Sequence, residues 1–195
     1  MSGWKTIKEK KKLTIESIES IVDYYNYSDK HAAQLTDEKI CEFLTNRIRE
    51  CKEIIFEMIQ LGFEAHKQAL ENDLVKIRDE LDIFSDEIKM RVFKWDEGIP
   101  EEWLERLVSH DFEILKASKR ICENLKSVYH RFLEAEGELK LFDEDEWRRM
   151  KNRIEEIYHD IENLAILFKE RDVICNIRKI ALERTFEEIR KRLRK

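Results

Sequence analysis

Residues 147–168 read WRRMKNRIEEIYHDIENLAILF, and Trp147, Met150, Ile154, Ile157, Ile161, Leu164 and Phe168 recur there in strict steps of three and four. Such steps return each apolar side chain to one face of a helix turning every ~3.6 residues, with the charged residues left on the other face. A strand would need alternation by two, which is absent here.

The same pattern extends through most of the chain. Leu44, Ile48, Cys51, Ile55, Met58, Gly62, Ala65 and Ala69 form an unbroken seam, its last third built from small residues that let another helix come close. Leu74, Ile77, Leu81, Phe84, Ile88, Val92 and Trp95 form a second seam, and Asn72 with Asp73 reads as the interruption between the two. Glu97-Gly98-Ile99-Pro100 ends that helix and opens another, because Gly suits a helix C-terminus and Pro a first turn. The new helix spans about 101–136 with Leu104, Leu107, Ile114, Ile121, Leu125, Val128 and Phe132, and Gly137 closes it.

Toward the ends, Asp143 and Glu146 have the spacing of a capping box ahead of the Trp147 helix. A sixth helix is expected from about Asp172 to Arg194. An N-terminal helix is expected over 5–27, with Ile15, Ile18, Val22 and Tyr25 on one stripe. The polar stretch from Ser28 ends it, and Thr36 then caps the second helix.

Composition agrees with an all-α, elongated bundle of about six helices in a single domain over 1–195. The chain has 4 Gly and 1 Pro, while 41% of its residues are charged, so turns are few and helix formers dominate. Abundant Glu and Lys with few Gln also fit a thermophilic source. A net charge of −6 argues against nucleic acid as a partner. The basic residues between Lys8 and Lys12 and between Arg190 and Lys195 are expected to be solvated ends, or to touch an anionic membrane surface or an acidic partner. No stretch is apolar enough to span a membrane and the N-terminus is too charged for a signal peptide, so the expected location is the cytoplasm. Cys41, Cys51, Cys122 and Cys175 form no C-x-x-C pair and read as small apolar core residues, with a disulfide as the alternative. Heptad seams on long helices also suit a homodimer.

Chemistry in such a bundle would come from carboxylates four residues apart, which share one helix face and can reach one cation. Asp82 with Asp86, Glu183 with Glu187, and Glu19 with Asp23 have that spacing, although an acidic chain produces such pairs on solvated faces without further meaning. Glu156 and His159 have the Glu-x-x-His spacing of a di-iron bundle, but no second such pair occurs, so oxidase chemistry is not expected. The phosphate-cradling and nucleophile motifs of kinases and hydrolases are missing as well.

FEMIQLGFEAHKQALENDLVKIRDELDIFSDEI, residues 56–88, has Met58 and small residues, then an Ala69-Leu70 step and a polar link, then a face with Asp79, Asp82, Asp86 and Ile88. Pro100 opens the following helix, which carries KRICENL at 119–125. In this order, residues 54–128 resemble the PhoU family of phosphate-transport regulators. The resemblance implies tandem three-helix units, the first over 37–136. It also implies metal binding by Mg, Mn or Fe on acidic motifs, here Asp82, Asp86 and Glu123, with Lys119 standing where the family has an acid. A fainter repeat sets Glu183 and Glu187 on Asp82 and Asp86. The second unit would then be 143–194 completed by the N-terminal helix 5–27, a circular permutation that brings Glu19 and Asp23 to Glu183 and Glu187. The implied function is regulation by contact with a membrane phosphate transporter or sensor kinase, without enzymatic activity. The residues alone leave open a helical adaptor with no metal and no link to phosphate, and a metal-dependent helical phosphohydrolase.

Overall fold

A computed structural model of the chain describes residues 18–23, 25, 27, 29–64, 68–91, 101–135 and 144–193, with the backbone alone at 30, 62–64, 68–69, 101–103, 135 and 175–193. The described residues contain four long helices and no strand: α1 (Lys30–Glu64), α2 (Gln68–Met90), α3 (Glu101–Ala135) and α4 (Glu144–Leu193). At about 1.5 Å per residue, the 50-residue α4 is on the order of 75 Å long, so the molecule is elongated.

The seams expected from the sequence form the core. Leu44, Ile48, Cys51, Ile55 and Met58 of α1 meet Leu74, Ile77, Leu81, Phe84 and Ile88 of α2. Leu107, Ile114, Ile121, Leu125, Val128 and Phe132 of α3 meet Met150, Ile154, Ile157, Ile161, Leu164 and Phe168 of α4. Each fully buried aliphatic side chain contributes roughly 1.5–3 kcal/mol relative to exposure, so these seams are the main source of cohesion. Phe84 and Phe168 meet edge to face, ring centroids 5.5 Å apart.

Ion pairs fix the directions of the helices. Lys52–Asp82 and Arg91–Asp37 require α1 and α2 to run antiparallel. Arg120–Asp160 and Arg171–Asp111 do the same for α3 and α4. Lys126–Glu50 joins α1 to a parallel α3, and Lys169–Glu87 with Arg91–Asp172 joins α2 to a parallel α4. Two antiparallel hairpins therefore lie side by side, with α4 packed on both α2 and α3 and α1 packed on both α2 and α3. This is a closed four-helix square.

Four boundaries differ from the sequence reading. The N-terminal chain leaves the helix at Ser20, where the amides of Ile21 and Val22 both turn back to the Ile18 carbonyl, instead of continuing to Tyr27. Helix α1 begins at Lys30, not after Thr36, because the Asp29 carboxylate accepts the Ala32 amide at 2.9 Å and caps it. Thr36 lies inside the helix, buried, with its hydroxyl accepting the Tyr25 amide at 3.2 Å. Asn72 and Asp73 also lie inside a helix, since α2 runs from Gln68 to Met90. Helix α4 passes through Glu170–Asp172 without interruption, so the expected fifth and sixth helices are one. The expectations for residues 1–17, for Asp143 and Gly137, and for the Val92, Trp95 and Pro100 positions lie outside the described residues.

Candidate functional site

One end of the square holds a cluster of buried charge. Arg171, on the α4 seam, is fully buried and spreads its guanidinium over three partners. Its Nε donates to Asp111 Oδ1 at 2.5 Å, its Nη1 to Asp37 Oδ1 at 2.5 Å and its Nη2 to the Tyr27 hydroxyl at 2.8 Å. The Tyr27 hydroxyl in turn donates to Asp111 Oδ2 at 2.5 Å. Arg91, one residue beyond α2, donates its Nη1 to the same Asp37 oxygen at 2.5 Å, pairs through Nε with Asp172, and lies over the Phe168 ring at 5.1 Å. The N-terminal segment and all four helices are thus joined at one level.

Two guanidinium groups face three carboxyl groups in this cluster. Burial pushes the Asp172 carboxyl above its ordinary range, and Arg91 and Arg171 oppose that shift only in part. Burial also pushes the Cys41 thiol up, although Arg91 approaches its sulfur at 3.6 Å. Every acid in the cluster has a guanidinium partner, so what the geometry provides chemically is a clamp that fixes helix register.

Sequence reasoning missed this clamp, yet a signal was present. Asp37 sits between Ala33 and Ile40, Asp111 between Leu107 and Ile114, and Arg171 three residues after Phe168, all in the seam rhythm of their helices. A charged residue at a seam position in three helices requires mutual neutralisation.

Of the acidic residues expected to hold metal, Asp82, Asp86, Glu123, Glu19 and Asp23 have described surroundings. Asp82 is paired with Lys52 across α1 and α2, and Asp86 with Lys89 on its own helix at 3.1 Å. Glu123 is exposed on α3, alongside Lys126, Ser127 and His130. Glu19 and Asp23 are exposed and line a shallow depression against Lys39, Glu42 and Phe43 of α1. The backbone of Glu183 and Glu187 is helical, and their side chains lie outside the described residues. Among the described residues no group of three or more His, Cys, Asp or Glu side chains is placed to share a cation. His159 is exposed and meets Glu162 at 2.9 Å.

The outer surface of α2 and α4 has a different character. Ile83 and Met90 on α2, and Ile166 and Val173 on α4, are exposed by 55%, 79%, 54% and 53%. Both pairs are spaced by seven residues. Parallel packing of α2 and α4, fixed by Lys169–Glu87 at 2.8 Å and Arg91–Asp172, sets Ile83 level with Ile166 and Met90 level with Val173. The result is an aliphatic ladder of two rungs with an ion pair between them. No helix among the described residues is long and apolar enough to cross a membrane.

Compared with known families, curated proteins and solved structures, the chain matches none.

Proposed function

We propose that this chain is a helical interaction protein, not an enzyme, which docks the outer face of α2 and α4 against an amphipathic helix of another protein. The observation that carries this reading is the ladder of Ile83, Met90, Ile166 and Val173. Single exposed aliphatic residues are ordinary. Four of them at heptad spacing on two neighbouring parallel helices match the apolar stripe of a third helix. Covering their exposed halves would supply on the order of 4–6 kcal/mol before the entropy of association is subtracted. The flanking charges, including Glu87 and Lys169, would set the register of the partner.

The test is capture of partners by the tagged chain in its own cells. The Ile83→Glu/Ile166→Glu variant should lose a partner held by the wild type while keeping its helical circular dichroism and melting temperature. Leu133→Glu, on the exposed face of α3, should retain it. Loss of the partner in both variants, or in neither, would remove the proposal.

A narrower version makes the partner a phosphate transporter or sensor kinase, acting in the cytoplasm, and lets α2 bind Mg, Mn or Fe as a PhoU-like protein would. Its support is the motif order over 54–128 together with Asp79 and Asp86, both exposed on α2, and Asp82 one turn before Asp86. Titration with each cation by calorimetry decides it. Heat of binding that disappears in Asp82→Asn/Asp86→Asn supports the narrower version, and no binding to the wild type removes it.

A further inference from the structure

A recess opens where α3 meets α4. Its volume is about 400 Å³, and Val128 and Met150, both buried, form its apolar floor. Three arginines stand around it: Arg131 from α3, and Arg149 and Arg153 from α4. Their convergence follows from the register of the two antiparallel helices. Arg120 pairs with Asp160 at 2.8 Å, and the Phe132 and Trp147 rings meet with centroids 6.3 Å apart, which sets Arg131 level with Arg149. Arg153 follows Arg149 by one helical turn, on the same face of α4.

Arg47, Arg78, Arg91, Arg120, Arg148 and Arg171 each meet a carboxylate. Among the described residues, Arg131, Arg149 and Arg153 form no ion pair, although Glu146 and Glu156 line the same recess. Arg149 donates its Nε to the Asp145 carbonyl at 3.3 Å, which orients the side chain but leaves its charge uncompensated. Like charges one turn apart on a helix repel, and Arg131 adds a third from the facing helix. Positive charge is thus concentrated at one place on a chain whose net charge is −6. An anion seated there would relieve that repulsion.

We propose that this recess binds a small phosphate monoester, with Arg131, Arg149 and Arg153 gripping the phosphate and Val128 and Met150 beneath the organic part. Guanidinium groups are planar forks whose N–H donors match the oxygens of phosphate and carboxylate. Forks arriving from two helices surround an anion from several directions, which suits the tetrahedral oxygens of phosphate better than a flat carboxylate. The recess is larger than inorganic phosphate fills, and its size is that of a site for a small organic molecule. The apolar floor suits a carbon skeleton, and the Asn152 amide oxygen and the Glu156 carboxylate, both lining the recess, can accept hydrogen bonds from its hydroxyl groups. At about 1.5 Å per residue, Arg153 lies on the order of 20 Å along α4 from Ile166. The site is therefore independent of the docking face on α2 and α4.

The experiment is calorimetric titration of the full chain with glycerol phosphate, ribose phosphate, inorganic phosphate and malate. At least one of the two monoesters should bind about tenfold or more tighter than inorganic phosphate and malate. Each charge-assisted hydrogen bond contributes about a factor of ten, so Arg149→Gln/Arg153→Gln should weaken that binding on the order of a hundredfold, with circular dichroism unchanged. Arg148→Gln, at a neighbouring position already paired with Asp145, should bind as the wild type does. No heat with either monoester, inorganic phosphate or malate binding as tightly as both, or unchanged affinity in Arg149→Gln/Arg153→Gln would overturn the proposal. The wild-type titrations decide the ligand class by themselves, so a variant that fails to fold does not blur them.

Discussion

Withdrawing a guanidinium from water costs several kcal/mol, and Arg171 offsets that cost with donors to Asp111, Asp37 and Tyr27. Arg171→Met should therefore destabilise the chain by about 3–5 kcal/mol, chiefly because two buried carboxylates lose their partner. Urea unfolding at neutral pH measures this. Adding Asp37→Leu and Asp111→Leu should recover much of the loss, since the stranded charge goes with them. Asp172 behaves differently. Its folded-state pKa lies above the ordinary 3.8, so the folded chain binds that proton more tightly than the unfolded chain does. The stability tied to this group is fully present below 3.8 and is lost as pH rises through the folded-state value. Asp172→Asn should flatten that dependence and change stability at pH 7 by less than about 1 kcal/mol, whereas Asp111→Asn should cost several times more. Urea midpoints between pH 4 and 8 check both.

At the scale of elements, the helices themselves were legible because apolar residues recur in steps of three and four almost without gaps. What misled the reading was polar residues inside helices. Thr36 looks like a cap until the Tyr25 amide is seen against its hydroxyl, and Asp172 looks like a helix start until Arg91 is seen beside it. Both contacts come from distant parts of the fold, which helical periodicity does not record. Asp29, the true cap of α1, carried an ordinary local signal three residues before Ala32. Asn72 gives a direct check, since it is exposed within α2. Asn72→Ala should stabilise the chain by roughly 0.5 kcal/mol, as expected inside a helix, and thermal or urea unfolding measures it. At a turn the same change would destabilise.

For the whole molecule, two hairpins lie side by side and share one core, closed at one end by the Arg171 clamp. The clamp residues were hidden in the sequence because 37 basic and 43 acidic residues supply many equivalent candidates. Only their seam positions set them apart. The acidic pairs stood out by spacing, but Asp82 and Asp86 spend their charge on Lys52 and Lys89. The proposed docking surface is the ladder on α2 and α4. Hydrogen–deuterium exchange of the chain with and without its captured partner tests that surface most directly. Docking on the ladder predicts slowed exchange along α2 near Ile83–Met90 and along α4 near Ile166–Val173, with α1 and α3 unchanged. Protection confined to α1 or α3, with none on α2 and α4, would contradict it.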